Sequence, residues 1–318
     1  MIKRNGARST RLLIVGCGDV LQRALPWLLQ RFRIYATARS DATAAQLRAR
    51  GVTPIAADLD NRRSLLRLGR LGAWVIHSAP PAPSGRLDQR TRRLTTGLTR
   101  QSSILSHPPS TARRARPQPS LPAVYIGTTG VYGNREGQWT RETTPLAARN
   151  DRAQRRADAE LTLRTWARRQ HRKLALLRAP GIYAIDRLPT ARLVRQEPCI
   201  ANNEDSYSNH IHADDLARAV CMALYRGRPL RTYNVCDDRP LKMGDWFDLV
   251  ADHAQLARPP RVTRAIAQQV LSPGLLSYLN ESRRIENTRL KQELRLRLHW
   301  PAPEKLLTGT HSGEPAAD

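Results

Sequence analysis

The 318-residue sequence has few cysteines, few aromatic residues and no long apolar run. Its four cysteines lie far apart without a Cys-x-x-Cys pair, which argues against a disulfide framework or a zinc site: Cys17, Cys199, Cys221 and Cys236. No apolar run reaches the length of a membrane span, and the one after the basic N-terminus is too short for a signal peptide. We therefore expect a soluble, cytoplasmic protein with no membrane partner.

Acidic residues are scarce beside basic ones. Lys and Arg total 53 against 27 Asp and Glu, so the formal net charge is +26. Such a charge is typical of proteins that bind nucleic acids or acidic membranes. Arginine, however, far outnumbers lysine and occurs in every segment, which indicates a general arginine bias. A nucleic-acid partner is thus a minor alternative, with the predicted disordered insertion at 106–120 as its one candidate arm.

The segment RLLIVGCGDVLQRALPWLL, residues 11–29, carries the main signal for a ligand. An apolar strand enters Gly16-Cys17-Gly18 and is followed by a helical pattern. Strand, glycine turn and helix form the layout of a dinucleotide-binding βα unit. Gly16 permits the sharp turn, and Gly18 lets the backbone approach a pyrophosphate at the helix N-terminus. The residues that begin the helix are then predicted to contact the cofactor too: Asp19 and Val20.

Two features of this segment depart from the usual pattern. Leu21 occupies the place of the third glycine, which normally allows the helix to pack closely on the strand. Pro26 falls inside the predicted helix, where proline costs roughly 3 kcal/mol or kinks the axis. An ordinary buried βα turn without a ligand is therefore the alternative interpretation.

The second predicted strand, at 33–37, bears on the choice of cofactor. An NAD-selective site has an acidic residue at the end of this strand, which binds the ribose hydroxyls. Here Thr37 takes that place and Arg39 follows two residues later. A hydroxyl and a guanidinium suit a 2′-phosphate, so the pattern favours NADP(H) over NAD(H). Arg39 as a solvated loop charge is the alternative.

Further strands at 52–57, 73–77, 123–126 and 174–178 alternate with helical segments. This alternation predicts an α/β protein with a doubly wound parallel sheet. Residues just after the third and fourth strands are predicted to line the cofactor: Asp58, Leu59, Ser78 and Ala79. Asp58 either meets the adenine edge or caps the next helix. The small Ser78 and Ala79 would let the chain pass beside the cofactor.

Later motifs follow in a fixed order, namely GTTGVYG at 127–133, PGIY at 180–183, NHIHADDL at 209–216 and YNV at 233–235. Together with the glycine turn they resemble the extended short-chain dehydrogenase/reductases, or NAD-dependent epimerase/dehydratases. The resemblance implies a Rossmann-type NAD(P)-binding domain, 11–183 with 209–236. It also implies a small, mostly helical substrate or lid domain, 184–208 with 237–300. A flexible tail at 301–318 is expected to follow.

The resemblance also implies roles for individual residues. In that family a Ser or Thr four residues before the tyrosine of Val-Tyr-Gly hydrogen-bonds the reacting carbonyl or alcohol, which places Thr128 in this role. Neighbouring loop residues are expected beside the ligands, with Thr129, Tyr183 and His210 on the substrate side and Pro180 on the cofactor side.

The chain departs from the family at its catalytic Tyr-x-x-x-Lys. That motif lies on the helix after Val-Tyr-Gly, with a glutamate four residues beyond the lysine. Aligning the glutamate with Glu160 places Arg156 at the lysine and Arg152 at the tyrosine. Arg156 can still hold a ribose or phosphate. Arg152 cannot shuttle protons near neutral pH, because guanidinium stays charged.

Other side chains offer replacement chemistry. Tyr132 and Tyr183 follow strands on the ligand-binding side and are candidate proton carriers, with structural packing as the alternative. His210 and His212 have the spacing of one strand face, which invites a metal interpretation. Asp214 or Asp215 fits better as the cap of a helix at 216–225, and we predict no metal.

Together these observations predict an NAD(P)-dependent oxidoreductase or epimerase/dehydratase-like enzyme. Its substrate would be a polar carbonyl or hydroxyl compound, and family analogy suggests a nucleotide sugar. A non-catalytic NADP(H)-binding sensor is the alternative, and a basic nucleic-acid-binding protein is the second. Family members often form homodimers through paired helices; here the helix at 151–169 is rich in arginine, which disfavours pairing with itself.

Overall fold

The computed structural model describes residues 10–71, 73–99 and 120–308. The predicted insertion, apart from Ser120, and the tail beyond Thr308 lie outside the described residues. The strands are β1 (Arg11–Val15), β2 (Arg33–Ala38), β3 (Thr53–Ala56), β4 (Trp74–His77), β5 (Pro122–Thr128), β6 (Trp139–Thr140), β7 (Lys173–Ala179), β8 (Gly181–Tyr183), β9 (Cys199–Ile200), β10 (Tyr207–Ser208), β11 (His210–His212), β12 (Arg231–Asn234), β13 (Leu241–Lys242), β14 (Arg261–Val262) and β15 (Arg284–Ile285).

The α-helices are α1 (Asp19–Leu29), α2 (Asp41–Ala49), α3 (Gln89–Thr99), α4 (Asp151–Arg169), α5 (Thr190–Val194), α6 (Ala213–Arg226), α7 (Met243–His253), α8 (Arg264–Val270), α9 (Pro273–Leu279), α10 (Thr288–Glu293) and α11 (Pro303–Leu307). Shorter 3-10 helices span Arg62–Leu71, Thr129–Tyr132 and Ile185–Arg187. Among the described residues, no helix combines the length and the apolar character that crossing a bilayer requires.

Seven parallel strands form the central sheet in the order β12-β7-β5-β4-β1-β2-β3. The predicted doubly wound parallel sheet is therefore confirmed. The strand order reverses at β1, where Leu12 pairs with Ile34 of β2 on one side and Trp74 of β4 on the other. In such sheets ligands bind beyond the carboxyl ends of the strands at this reversal. The glycine turn after β1 lies at that point.

The sheet has a helical layer on each face, because its strands are apolar on both sides. Leu12 and Ile14 pack with side chains of α1, α2 and α6. Leu13 and Val15 point the other way and pack with the 3-10 helix Arg62–Leu71, α3 and α4. Leu21, in the place of the third glycine, is buried within the α1 layer.

The C-terminal part is built from helices and short strand pairs. β8 pairs with β11, β9 with β14, and β6 with β15, all in parallel, whereas β10 and β13 are antiparallel. Two predictions were wrong here. His212 rather than Asp214 or Asp215 caps α6, since its ring accepts a hydrogen bond from the Asp214 amide. The prediction of a flexible tail at 301–318 was wrong for 301–308, which contains α11 and packs Leu307 against apolar side chains of α7.

Candidate functional site

The turn after β1 requires glycine at its first position. Gly16 has a φ of +86°, and a Cβ there would lie 2.7 Å from the backbone nitrogen of Ala79. The amides of Ser78 and Ala79 both donate to the Val15 carbonyl, at 2.9 and 3.1 Å. The Ser78 hydroxyl donates to the Gly16 carbonyl. The ends of β1 and β4 are thus held together, and only small residues fit between them.

Gly18 has the opposite environment. Its φ is −81°, and a Cβ at this position would meet no atom within 4 Å. It is the N-cap of α1 and provides no side-chain acceptor for the first-turn amides, which include those of Asp19 and Val20. Open space beside uncapped helix amides is the arrangement that binds a phosphate.

The sequence also predicted side chains for the adenosine end of a cofactor. Thr37 accepts a hydrogen bond from the Gly16 amide at 3.2 Å, which leaves its hydroxyl proton available. Arg39 is exposed and has neither a hydrogen bond nor an ion pair within the described chain. Asp58 accepts from the Asp60 amide at 3.0 Å, and so supports the turn before the next helix, while Leu59 is buried.

An ion-pair network that the sequence did not reveal joins α1 to the segments beside it. Arg23 contacts Asp186 at 2.6 Å and Asp214 at 3.1 Å, while Arg187 contacts Asp19 at 2.8 Å. Burial alone would raise the pKa of Asp19, but hydrogen bonds from Arg23 and Arg187 outweigh it and lower the pKa. The partners are more than 160 residues apart in the chain, so only the fold brings them together.

Helix α4 carries Arg152 and Arg156, the two arginines that the sequence alignment predicted at the positions of a catalytic tyrosine and lysine. Arg156 donates to the Tyr125 hydroxyl at 3.2 Å and to the Ile126 carbonyl at 3.5 Å, so it lies against β5. Arg152, in the first turn, donates to the hydroxyl of Tyr278 on α9. Burial, then the neighbouring Arg156 and Arg155, lowers the pKa of Arg152. The structure therefore shows three arginines that follow Asp151 at the start of α4, with a phenol beside Arg152.

The loop after β5 contains the predicted carbonyl-binding residue. Thr128 ends β5, is partly exposed and accepts a hydrogen bond from the Gly130 amide at 3.1 Å. Its hydroxyl proton therefore remains free to point toward a ligand. Thr129 is buried beside it. Because β1, β4, β5 and β7 are parallel, their carboxyl ends bring Gly18, Ala79, Thr128 and Pro180 to one edge of the sheet.

Tyr132 and Tyr183 are both buried. The Tyr132 hydroxyl donates to Asn234 Oδ1 at 2.7 Å, and burial raises its pKa to about 12. The guanidinium of Arg178 lies 4.7 Å from the centre of the Tyr132 ring. The Tyr183 hydroxyl has no hydrogen-bond partner among the described residues, and burial raises its pKa further. Neither hydroxyl reaches solvent, which argues against the proton-transfer role predicted for these tyrosines.

A buried ion pair supports this part of the sheet. Arg178 on β7 contacts both carboxylate oxygens of Glu160 on α4, at 2.9 and 2.7 Å. Both side chains are about 95% buried, with exposed fractions of 5% and 4%. Glu160 therefore anchors α4 to the sheet one turn beyond Arg156.

The two histidines of the predicted strand pack against aromatic rings. His210 stacks on Trp246 at 4.3 Å between ring centroids, and burial lowers its pKa to about 3. The ring centroids of His212 and Trp300 lie 5.0 Å apart. Among residues 10–71, 73–99 and 120–308, no three His, Cys, Asp or Glu side chains form a metal-binding group. The geometry favours packing for both rings.

No family model and no curated protein matches the chain, whereas solved structures do. A conserved protein of unknown function from Silicibacter pomeroyi is 26% identical, with 94% of this chain and 97% of that one covered and a TM-score of 0.73. UDP-glucose 4-epimerase from Thermotoga maritima, solved with UDP-glucose, is 16% identical over 91% and 94%, with a TM-score of 0.69. dTDP-glucose 4,6-dehydratase from Bacillus anthracis, in complex with NAD, is 13% identical over 94% of each chain, with a TM-score of 0.69.

These similarities extend over nearly the whole chain. The resemblance predicted from the ordered motifs is therefore confirmed at the level of the fold.

Proposed function

We propose that this chain, which has the fold of NAD-dependent epimerases and dehydratases, binds a nicotinamide dinucleotide and uses it to oxidise or reduce a polar carbonyl or hydroxyl compound. The observation that carries the proposal is the pair of glycines after β1. Gly16 is required by the close approach of Ala79, whereas Gly18 faces open space beside uncapped amides of α1. A purely structural turn would need the first glycine and not the second.

The described residues fit such a cofactor. Amides from Gly18 to Val20 would hold the pyrophosphate, and Arg39 would pair with a 2′-phosphate, which is why NADP(H) is preferred in this proposal. Arg156 would hold the nicotinamide ribose from the α4 side. When bound, the nicotinamide ring supplies or accepts a hydride.

Thr128 is the residue we assign to the substrate oxygen. Its oxygen already accepts from the Gly130 amide, so the hydroxyl proton is left to donate to a carbonyl or alkoxide. A nucleotide sugar is the proposed substrate class, because the T. maritima neighbour was solved with UDP-glucose and the B. anthracis neighbour acts on a dTDP-sugar.

Titrating NADPH and NADH into the purified protein and into Gly18→Val tests this proposal. The new side chain has room in the protein itself, so we expect an unchanged melting temperature and a loss of cofactor binding. Gly274→Val is the matched control, because that glycine also faces open space and should keep full affinity. Absence of binding in the wild type, or equal binding in Gly18→Val, would contradict the proposed site.

A non-catalytic NADP(H) sensor is the second candidate. Arg152 in place of the catalytic tyrosine and the burial of Tyr132 and Tyr183 favour it. A nucleotide-sugar panel separates the two functions: the sensor binds NADP⁺ and NADPH, but its bound NADP⁺ is not reduced by UDP-glucose, UDP-glucuronate or dTDP-glucose.

A further inference from the structure

The reaction proposed above needs a group that transfers a proton. Helix α9 brings a phenol next to Arg152, where such a group is lacking. Tyr278 lies on α9, and its side chain is 49% exposed. Its hydroxyl accepts a hydrogen bond from Arg152, and the Arg152 guanidinium also lies 5.4 Å from the centre of its ring. A phenol thus stands beside the residue that replaces the family's tyrosine, although it comes from a segment more than 120 residues later.

This contact is at the edge of the sheet where ligands bind. Helix α4 returns across the sheet after β5, so its first turn, with Arg152, lies toward the carboxyl ends of the strands. Two further bonds hold the segment after α9 in place. Glu281 accepts from Asn150, the N-cap of α4, at 3.2 Å, and Arg283 donates to the Gly133 carbonyl at 2.8 Å. The phenol is therefore tied both to α4 and to the loop that follows Thr128.

The local charge favours an ionised phenol. Helix α4 begins with Asp151, and Arg152, Arg155 and Arg156 follow in its first two turns; in the described part of the chain none of these three arginines forms an ion pair with a carboxylate. The nearest acidic residue along the chain from Tyr278 is Glu281, whose charge is paired with Arg283 at 2.7 Å. A phenolate at Tyr278 would lie directly against the Arg152 guanidinium, and an anion beside a guanidinium is stabilised.

We propose that Tyr278 is the catalytic acid and base of this protein, with Arg152 as the positioning residue that stabilises its phenolate. The inference rests on the proposed function. In the oxidative direction the phenolate oxygen takes the proton of a substrate hydroxyl while the hydride on the same carbon passes to the oxidised nicotinamide ring. The carbon becomes a carbonyl, the ring is reduced, and Tyr278 keeps the proton as a phenol.

The ionisation of Tyr278 can be measured without any substrate. Labelling the tyrosine ζ carbons with ¹³C gives signals for eight tyrosines, and Tyr278→Phe identifies the one of interest. We expect it to titrate at least one pH unit below the ordinary phenol value of about 10. Arg152→Met should return it to about 10, whereas Arg168→Met, which removes an exposed charge from the last turn of α4, should not. A Tyr278 pKa of about 10 in the wild type, unchanged in Arg152→Met, would overturn the inference.

Single-turnover reduction of NAD⁺ or NADP⁺ by UDP-glucose, UDP-glucuronate or dTDP-glucose tests the chemical step. We expect Tyr278→Phe to slow it by a factor on the order of 10²–10⁴, the usual effect of losing a general base. NADPH affinity should stay within about twofold, because the glycine turn is untouched. The control Tyr225→Phe alters another half-exposed phenol, on α6, and should react at the wild-type rate.

The outcomes separate the two proposals. A wild-type protein that binds no cofactor, or reacts with none of the three sugars, contradicts the proposed enzymatic function. A wild-type protein that reacts, together with a Tyr278→Phe variant that reacts equally fast, contradicts only the role of Tyr278.

Discussion

The two sides of the candidate cleft differ in what their proposed roles require of the residues. On the β1–β4 side, the turn keeps what a dinucleotide needs, namely a positive φ at Gly16, open space at Gly18 and free helix amides. On the β5–α4 side, Arg152 and Arg156 lie where the sequence resemblance predicted a tyrosine and a lysine. Cofactor binding depends on backbone shape, which small residues alone maintain. Proton transfer depends on one titratable atom, which can come from any segment that reaches the site.

The largest expected effect among the stability tests concerns the ion pair that anchors the α4 side. Glu160→Gln leaves the Arg178 guanidinium buried without a counter-charge, and this should lower the free energy of unfolding by about 3–5 kcal/mol. Urea unfolding followed by circular dichroism measures it. Asp252→Asn is the control, because the Asp252–Arg258 pair is exposed and screened by solvent, so its loss should change stability far less. Equal losses in both variants would mean that Glu160 has no anchoring role.

A smaller effect should distinguish the two glycines of the turn. Gly16→Ala combines a positive φ with a contact under 3 Å to Ala79, so we expect a loss of about 2–4 kcal/mol in unfolding free energy. Gly18→Ala meets no atom and has a negative φ, so its stability should change by less than about 1 kcal/mol. Thermal unfolding of the two variants in parallel provides the comparison. A Gly18→Ala loss as large as that of Gly16→Ala would show that Gly18 is structural.

The smallest expected effect is on cofactor choice. Arg39→Met removes the exposed guanidinium proposed to pair with a 2′-phosphate, which should weaken NADPH binding about tenfold, the value of one modest charged hydrogen bond. NADH binding should not change, because it lacks that phosphate. Arg48→Met on α2 is the control for a general loss of positive charge. If the affinities for NADPH and NADH fall equally in Arg39→Met, Arg39 is not the cause of the predicted preference for NADP(H).

Part of this architecture was predictable because it depends on residues close together in the chain. The apolar run of β1, the glycines after it and the alternation of strands with helices indicated the parallel sheet, which the strand order confirms. The same local patterns did not predict the start of α6 or the helix α11, because both depend on contacts between segments. His212 caps α6 with its ring, and α11 packs Leu307 against apolar side chains of α7.

The sequence by itself determined the glycine turn of the βα unit and the arginines at the start of α4, since both are properties of short segments. Only the tertiary structure decided which phenol lies beside Arg152. It buried Tyr132 and Tyr183, the two tyrosines that the sequence had made candidate proton carriers. It also brought Tyr278 beside Arg152. The physical reason is that strand and turn preferences are local, whereas the approach of α9 to α4 depends on how the C-terminal segments pack against the sheet.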